Sequence, residues 1–273
     1  RPDKGRLGIY FMETGANQRP STVIYDREGS SVSITPADSY RWKEIFGGAQ
    51  WFHVSGITPA LSKTAAEAAL SAARSAKESG LTVSCDLNFR RKLWKWEQGT
   101  DSRELAEKTM RQILPFVDVV IGNEEDAAEV LGIHAEDTDV LAGKLAIGKY
   151  PDVARKLVAQ FPNVSMVAVT LRESVSASHN NWGGMLYTAG ENRAFFAPMK
   201  DGKYQPYAIT HIVDRVGGGD AFAAGLIFAL LQPEFSSPQT AISYAVAASC
   251  LAHSIQGDFN FSSRAEIEAL MGG

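Results

Sequence analysis

Short apolar runs alternate with helical stretches along most of the chain. Runs rich in β-branched and aromatic residues predict strands at residues 51–55, 81–86, 117–121 and 164–170. Apolar residues at helical spacing predict helices at residues 62–79, 102–114, 123–131, 149–160, 221–231, 239–253 and 264–270. Two short antiparallel strands are expected at residues 185–187 and 193–196. Strand–helix alternation indicates an α/β fold, in which a mostly parallel sheet carries helices on both faces.

The first part of the chain has a different pattern. Residues 7–12 and 21–27 are β-branched and aromatic, with turn-forming residues between them, which predicts two paired strands. A third strand is expected at residues 31–35. We therefore expect a small, partial β-sheet lid at residues 1–36, followed by an α/β domain at residues 37–273.

Composition and charge restrict the class of protein. The chain has 273 residues and a formal net charge of −4 at pH 7, which does not favour a nucleic-acid or anionic-membrane partner. An anionic small molecule would therefore have to be held by a few local arginines. Cys85 and Cys250 lie in apolar segments, which is typical of buried thiols in a reducing compartment. With no apolar run of spanning length and no secretory signal in the sequence, we expect a cytoplasmic protein.

The strongest candidate for chemistry is the stretch Asp214–Gly225, which reads DRVGGGDAFAAG. Glycines at 217–219 can turn their backbone N–H groups toward a ligand, because no side chain stands in the way. The helix that follows adds further free N–H groups and the positive end of its dipole. This arrangement predicts an anion cradle with Asp220 on the first helical turn, within reach of a substrate hydroxyl. The alternative is a plain capping turn.

Phosphoryl transfer fits this stretch directly. The reaction needs an anion-stabilising cradle, a metal, and a carboxylate that accepts the proton of the attacking hydroxyl. Residues 217–220 supply the cradle and the carboxylate. Asp214, shortly before the cradle, is a candidate to support the metal or the phosphates.

Polar clusters also follow three of the predicted strands, where ligands gather in parallel sheets. Arg90, after strand 81–86, is suited to clamp a carboxylate or phosphate, although a solvated basic loop is the alternative. Asn123 and Asp126 follow strand 117–121. They either cap a helix or form a water-mediated Mg²⁺ site, and the sequence does not distinguish these two hypotheses. The loop at 170–174 is a weaker candidate to line a nucleotide.

The remaining polar residues carry no further catalytic pattern. The histidines show no metal-ligand spacing, and we expect structural roles for them; they are His53, His134, His179, His211 and His253. The sequence has neither a serine nucleophile elbow nor a P-loop.

The stretch 214–222 resembles the C-terminal signature of the ribokinase-like (PfkB) carbohydrate kinases, Asp-Thr/Pro-x-Gly-Ala-Gly-Asp-x-Phe. The departures are Arg215, in place of Thr or Pro, and Gly218, in place of Ala. The resemblance implies a three-layer α/β/α fold with a small antiparallel β lid. It also implies that Asp220 is the catalytic base, that Gly217, Gly218 and Gly219 form the anion hole, and that ATP and Mg²⁺ are the cofactors.

Within this family the chain is most similar to 2-keto-3-deoxygluconate kinases, on segments that include residues 23–27, 53–61 and 86–90 with 93–94. The similarity implies ATP-dependent phosphorylation of the C6 hydroxyl of that sugar acid. The residues implied to contact the sugar acid are Tyr10, Tyr25, Arg27, Arg90, Asp220 and Asp258. The residues implied to face the nucleotide are Asn88, Asn123, Leu171, Arg172, Ser174, Asp214, Gly217, Gly219 and Val246. Asn123 and Asp126 resemble the family's Asn-x-x-Glu motif and are implied to hold the metal through water.

Two alternatives stay open at this point. One is a PfkB-type kinase for another sugar, such as fructose, ribose or a nucleoside, and the other is a non-catalytic sugar-binding homologue. The family's N-terminal strand and Gly-Gly substrate motif have no counterpart in the sequence, so we expect the N-terminal part of the fold to be absent. The expected partners are a small sugar acid and ATP, with a homo-oligomer formed through the exposed lid strands.

Overall fold

The computed structural model describes residues 4–123, 125–134 and 147–272 of the chain. These form two compact units. The first unit draws on residues 1–12, 23–136 and 152–167, and the second on 13–22, 137–151 and 168–273. The lid and domain boundary expected at residue 36 stays a prediction.

The regular elements follow in chain order. The strands are β1 (Ile9–Glu13), β2 (Thr22–Asp26), β3 (Trp51–Ser55), β4 (Thr82–Asp86), β5 (Val119–Asn123), β6 (Met166–Ser176), β7 (His179–Thr188), β8 (Arg193–Ala197), β9 (Met199–Lys200), β10 (Lys203–Tyr204) and β11 (Tyr207–Ile209). The helices are α1 (Ser31–Ile34), α2 (Trp42–Ile45), α3 (Ile57–Ala60), α4 (Lys63–Glu78), α5 (Ser102–Ile113), α6 (Asp126–Leu131), α7 (Tyr150–Gln160), α8 (Gly218–Leu231), α9 (Pro238–Ala252) and α10 (Arg264–Gly272). Single 3₁₀ turns occur at Ala37–Ser39, Leu114–Phe116 and Ile147–Lys149.

Parallel strands form the centre of the first unit. β4 lies between β3 and β5 and is parallel to both. The register places Ser55 opposite Asp86, and Asp86 opposite Ile121. Because these strands end at the same edge, the polar loops that follow them lie side by side.

Helix α4 shows why the first unit packs as it does. Its buried face consists of alanines, at positions 65, 66, 68, 69, 72, 73 and 76. Ser62 caps the helix by accepting a hydrogen bond from the N–H of Ala65 at 3.0 Å. Small side chains let the helix approach its neighbours closely, and α4 contacts both β4 and α5.

The second unit combines an antiparallel arrangement of strands with apolar helices. β7 lies between β6 and β11, with β8 also paired to β7, and it is antiparallel to β8 and β11. Helices α8 and α9 pack closely, since a Cβ on Gly225 would lie 3.0 Å from the Cβ of Ala248. The parallel strands β3–β5 and the helices that accompany the sheet confirm the predicted α/β class.

The short strands β1 and β2 form a separate two-stranded sheet. Its side chains alternate: Tyr10 and Tyr25 are half-buried, whereas Phe11 and Ile24 are exposed. The third strand expected at residues 31–35 is wrong, because helix α1 lies there. The Ser33 hydroxyl donates to the carbonyl of Ser30 at 2.7 Å, and such local side-chain bonds compete with strand pairing.

Candidate active site

The turn that precedes α8 has the geometry of an anion-binding site. Gly217 has φ +76°, and a Cβ there would lie 2.5 Å from the carbonyl oxygen of Asp258, so only glycine fits. The N–H of Ala221 donates to the carbonyl of Gly217 at 2.7 Å. The N–H groups of Gly218, Gly219 and Asp220 precede that bond and have no acceptor within the helix. A Cβ on Gly219 would meet no atom within 4 Å, so the positive end of α8 is open to a ligand.

Asp220 stands beside this opening. Its side chain is exposed on the first turn of α8. It forms no hydrogen bond or ion pair with any residue in the described ranges. A carboxylate in this position is accessible to a substrate hydroxyl, and its role as the catalytic base stays a prediction.

Asp214 shapes the turn through backbone hydrogen bonds. Its Oδ1 accepts from the N–H groups of Arg215 and Val216, at 2.7 and 3.1 Å. Its Oδ2 accepts from the N–H of Gly257 at 3.0 Å, which ties the turn to the segment that contains Asp258. These bonds give Asp214 a structural role, and a direct contact with the nucleotide stays a prediction.

His253 supports the turn from the protein interior. The imidazole is 3% exposed, and its Nδ1 donates to the carbonyl of Ser249 at 2.8 Å, which leaves Nε2 as the unprotonated nitrogen. Burial lowers the pKa of His253, and the charges of Arg215 and Arg172 lower it further. Ser249 donates to the carbonyl of Gly218 at 2.6 Å. The sequence predicted structural roles for the histidines, but it gave no indication that His253 and Ser249 support this turn.

The other nucleotide-side predictions in the second unit differ in exposure. Arg172 and Ser174 lie on the exposed half of β6. Leu171 and Val246 are buried, and a Cβ on Gly184 of β7 would lie 2.8 Å from Cγ2 of Val246. Both buried side chains therefore pack in the core, and a contact between either one and a nucleotide stays a prediction.

In the first unit, the loop after β4 is organised by the carboxylate of Asp86. Its Oδ1 accepts from the N–H of Asn88 at 3.1 Å, and Asn88 has φ +37°. The side-chain amide of Asn88 donates to the hydroxyl of Ser55 at 3.2 Å. A Cβ on Gly56 would overlap the carbonyl oxygen of Leu87, so the two loops approach as closely as backbones can. The predicted nucleotide contact of Asn88 stays a prediction.

The side-chain oxygens of the candidate metal ligands Asn123 and Asp126 accept hydrogen bonds from backbone N–H groups. Oδ1 of Asp126 accepts from the N–H of Phe89 at 3.0 Å, and Oδ2 accepts from the N–H of Asn123 at 2.8 Å. Oδ1 of Asn123 accepts from the N–H groups of Glu125 and Asp126 at the start of α6. Burial raises the pKa of Asp126. The described residues contain no cluster of three or more histidines, cysteines or acids that could hold a metal. The geometry fits helix capping and does not fit direct metal ligation, so water-mediated Mg²⁺ binding stays a prediction.

The guanidinium of Arg27 lies over two aromatic rings. Its guanidinium carbon is 5.7 Å from the ring centre of Tyr10 and 5.4 Å from that of Tyr25. In the described part of the chain, no acceptor takes a hydrogen bond from this guanidinium and no acid pairs with it. The residue lines a cavity of about 640 Å³ together with Tyr25, Lys92 and Lys95. The two lysines were not singled out from the sequence.

Arg90 lines a neighbouring cavity of about 400 Å³. Its Nη1 donates to the carbonyl of Phe89 at 3.1 Å, and the other end of its fork faces no acid within ion-pair distance among the described residues. Tyr25 and Lys92 line both cavities. The first unit thus brings Tyr25, Arg27 and Arg90 to two neighbouring cavities. The cavity at Arg27 has an excess of basic residues, whereas the cavity at Arg90 is also lined by the acids Glu125, Asp126 and Glu129. Asp258 is an exposed residue of the second unit.

Comparison with known proteins identifies the family. The model of the pfkB family carbohydrate kinases matches residues 1–263. A 2-dehydro-3-deoxygalactonokinase from Haloferax volcanii is 31% identical over 271 residues, which cover 99% of this chain and 72% of the relative. The crystal structure of 2-dehydro-3-deoxygluconokinase from Thermotoga maritima has a TM-score of 0.85 and 42% identity, covering 99% of this chain and 74% of that one. A PfkB family carbohydrate kinase from Listeria grayi has a TM-score of 0.82 and 32% identity, with coverages of 99% and 75%.

These matches confirm the predicted ribokinase-like fold and the kinase class. The family model spans residues 1–263, and the Thermotoga maritima structure covers 99% of this chain. The described residues contain no helix that is both long and apolar enough to cross a bilayer. The chain belongs to the pfkB family of carbohydrate kinases and is a phosphotransferase that acts on a sugar hydroxyl.

Proposed function

We propose that the protein phosphorylates the C6 hydroxyl of 2-keto-3-deoxygluconate with ATP and gives the 6-phosphate. Two of the similar proteins are named as kinases of 2-keto-3-deoxy sugar acids. The observation that carries the proposal is the guanidinium of Arg27, which is held by two tyrosine rings and has no acid partner among the described residues.

An arginine in this state is suited to a carboxylate. Its planar fork matches the two oxygens of a carboxylate, and aromatic packing holds the fork in place without using its N–H groups. The surrounding cavity adds Lys92 and Lys95, and Glu28 is the acid among its lining residues. This excess of positive charge in a chain of net charge −4 favours a sugar acid over a neutral sugar.

The chemistry of transfer rests on the second unit. The N–H groups of Gly218, Gly219 and Asp220 would stabilise negative charge on the transferring phosphoryl group. Asp220 would accept the proton from the attacking hydroxyl as the new phosphate ester bond forms and the bond to ADP breaks. Mg²⁺, when bound to the nucleotide, neutralises charge on its phosphates. Because Asn123 and Asp126 do not fit direct ligation, no step here depends on them.

A substrate panel tests the proposal. The protein is incubated with ATP, Mg²⁺ and one candidate at a time, namely 2-keto-3-deoxygluconate, 2-keto-3-deoxygalactonate, fructose or ribose, and ADP release is measured. We expect turnover with the keto-deoxy acids, and NMR of the product should show phosphate on C6. Turnover with fructose or ribose alone would decide for a kinase of neutral sugars. Nucleotide binding without turnover on any candidate would indicate a non-catalytic homologue.

The galactonate epimer is a second candidate for the substrate. It is favoured by the name of the Haloferax volcanii relative, 2-dehydro-3-deoxygalactonokinase. The two sugar acids share the carboxylate and the keto group, so Arg27 would serve both, and the ratio of their kcat/KM values separates them. The expected homo-oligomer and cytoplasmic location stay predictions.

A further inference from the structure

Arg215 joins two loops of the second unit. It follows Asp214 in the anion-binding turn, where the family signature has Thr or Pro. Its Nε donates to the carbonyl of Ala177 at 3.0 Å, and its Nη2 donates to the carbonyls of Ser176 and Ala177 at 2.7 and 2.6 Å. Ser176 ends β6, and Ala177 lies in the turn between β6 and β7. One guanidinium therefore holds the β6–β7 turn against the anion-binding turn.

The backbone around Arg215 is also held. Its own N–H donates to Oδ1 of Asp214 at 2.7 Å, so the carboxylate fixes the start of the side chain. The preceding N–H groups of Val213 and Asp214 donate to the carbonyl of His253. Several hydrogen bonds thus restrain the backbone from which the guanidinium extends. The guanidinium in turn restrains the conformation of the β6–β7 turn.

The charge of Arg215 has no acid to neutralise it within the described ranges. The acceptors of its guanidinium are neutral carbonyl groups. Asp214, the nearest acid in sequence, uses its oxygens on backbone N–H groups. The side chain is half-buried, and burial together with the charge of Arg172 lowers the pKa of Arg215. A positive charge that is partly removed from water therefore belongs to the same turn whose N–H groups are proposed to bind an anion.

We propose that Arg215 is a positioning residue for the nucleotide. It fixes the end of β6, which carries Arg172 and Ser174, against the anion-binding turn, and its unpaired charge strengthens the binding of the triphosphate. This inference rests on the proposed function only in requiring that the turn binds nucleotide phosphates. It does not depend on which sugar is phosphorylated.

Two substitutions separate the contribution of the charge from that of the hydrogen bonds to the β6–β7 turn. Arg215→Lys keeps the positive charge but cannot bridge two carbonyl groups with a planar fork. Arg215→Gln removes the charge and retains a short donor. Binding of ATP is measured by calorimetry without sugar. We expect the Kd for ATP to rise about 10-fold or more in Arg215→Gln, the range that hydrogen bonds to charged groups contribute, and to rise less in Arg215→Lys.

Hydrogen exchange gives a readout that tests positioning. Backbone amides of residues 174–178 should exchange faster in both variants than in the wild type, since both lose the fork. ATP should protect this segment in the wild type and protect it less in the variants. Adding guanidinium ion to Arg215→Ala should restore part of the affinity for ATP, because the free ion can occupy the vacated site between the carbonyls.

The control is Arg193, which stacks on Phe195 of β8 in the same unit with its guanidinium carbon 4.8 Å from the ring centre. Arg193→Gln should leave ATP affinity and exchange at 174–178 unchanged. Thermal unfolding identifies any variant that fails to fold, and Arg215→Lys is the conservative fallback. The inference is overturned if folded Arg215→Gln binds ATP within about twofold of the wild type, a difference smaller than one hydrogen bond contributes. Absence of sugar turnover in the wild type would overturn the proposed function and leave this result standing.

Discussion

His253 packs against Gly218, with Cε1 of the imidazole 3.1 Å from the position that a Cβ on this glycine would occupy. Trp182 packs edge-to-face with the same imidazole, with the ring centres 4.7 Å apart. The candidate anion-binding turn therefore packs on the uncharged imidazole of His253, which in turn packs on Trp182. A proton on His253 would place a buried charge directly below the backbone that is proposed to bind phosphate.

The stability of the protein should fall on the acid side of neutrality because of His253. Its pKa is lowered by burial, so the unfolded state takes up a proton below about pH 6.5 while the folded state does not. The free energy of unfolding therefore has its full contribution from this residue above that pH and loses it as the pH falls toward the folded pKa. Denaturant titrations of the wild type and His253→Asn measure this. The variant should have a shallower pH dependence, and a pH dependence as steep as that of the wild type would exclude this role for His253.

The glycines of the turn should respond differently to alanine. Gly217→Ala introduces a Cβ at φ +76° and 2.5 Å from a backbone oxygen, so we expect a loss of about 1–3 kcal/mol in stability. Gly219→Ala places the methyl group in open space beside the free N–H groups, so the protein should fold normally but bind ATP more weakly. Thermal unfolding and ATP calorimetry on both variants separate these effects. Unchanged ATP affinity in Gly219→Ala would argue against the proposed phosphate position.

Asp220→Asn should abolish most turnover and leave ATP binding largely intact. The amide keeps the size of the side chain but cannot accept the proton of the attacking hydroxyl, and such proton transfer contributes about 10²–10⁴ in rate. Steady-state kinetics and ATP calorimetry measure the two effects. Glu191→Gln, at an exposed acid of the same unit, is the control. Turnover close to that of the wild type in Asp220→Asn would exclude the role of general base.

The elements most visible in the sequence were those whose burial follows a simple period. β3 was predicted with the bounds that the structure has, and Ser62 was recognised at the start of α4. The second half of β6 was missed, because residues 172–176 are polar except for Val175, none of them is buried, and their exposure does not alternate. The strand expected at 31–35 failed for a local reason, since the hydroxyls of Ser33 and Thr35 donate to the nearby carbonyls of Ser30 and Ser31 in a helical turn.

Within the candidate site, local chemistry was predictable and tertiary support was not. The glycines and Asp220 carry their chemistry in a few consecutive residues, which a sequence displays directly. His253 and Arg215 act across the fold, through contacts 35 and 38 residues away in sequence, and their residue types alone give no indication of these partners. Lys92 and Lys95 reach the cavity only because the loop after β4 brings them to Tyr25 and Arg27.

Asp126→Asn distinguishes the capping role from the metal role. One of the two carboxylate oxygens would become an NH₂ group that faces a backbone N–H, of either Phe89 or Asn123. We expect the free energy of unfolding to fall by about 1–3 kcal/mol, the cost of leaving a buried donor without an acceptor. The concentration of Mg²⁺ that gives half-maximal turnover should not change. An increase in that concentration at unchanged stability would instead support the predicted water-mediated metal site.

Arg27→Ala should weaken binding of the sugar acid and leave binding of the nucleotide unchanged. Loss of a guanidinium that pairs with a carboxylate is expected to raise the KM for the sugar acid about 10- to 100-fold, the range of charge-assisted hydrogen bonds. The Kd for ATP should stay close to that of the wild type. Arg27→Lys should recover little, because a lysine has no planar guanidinium to place over the rings of Tyr10 and Tyr25 and cannot form a bidentate contact. Arg74, which packs on Phe116 in the same unit, offers a matched control in Arg74→Ala. Equal losses for the sugar acid and ATP in Arg27→Ala, or an unchanged KM for the sugar acid, would exclude a carboxylate clamp at this position.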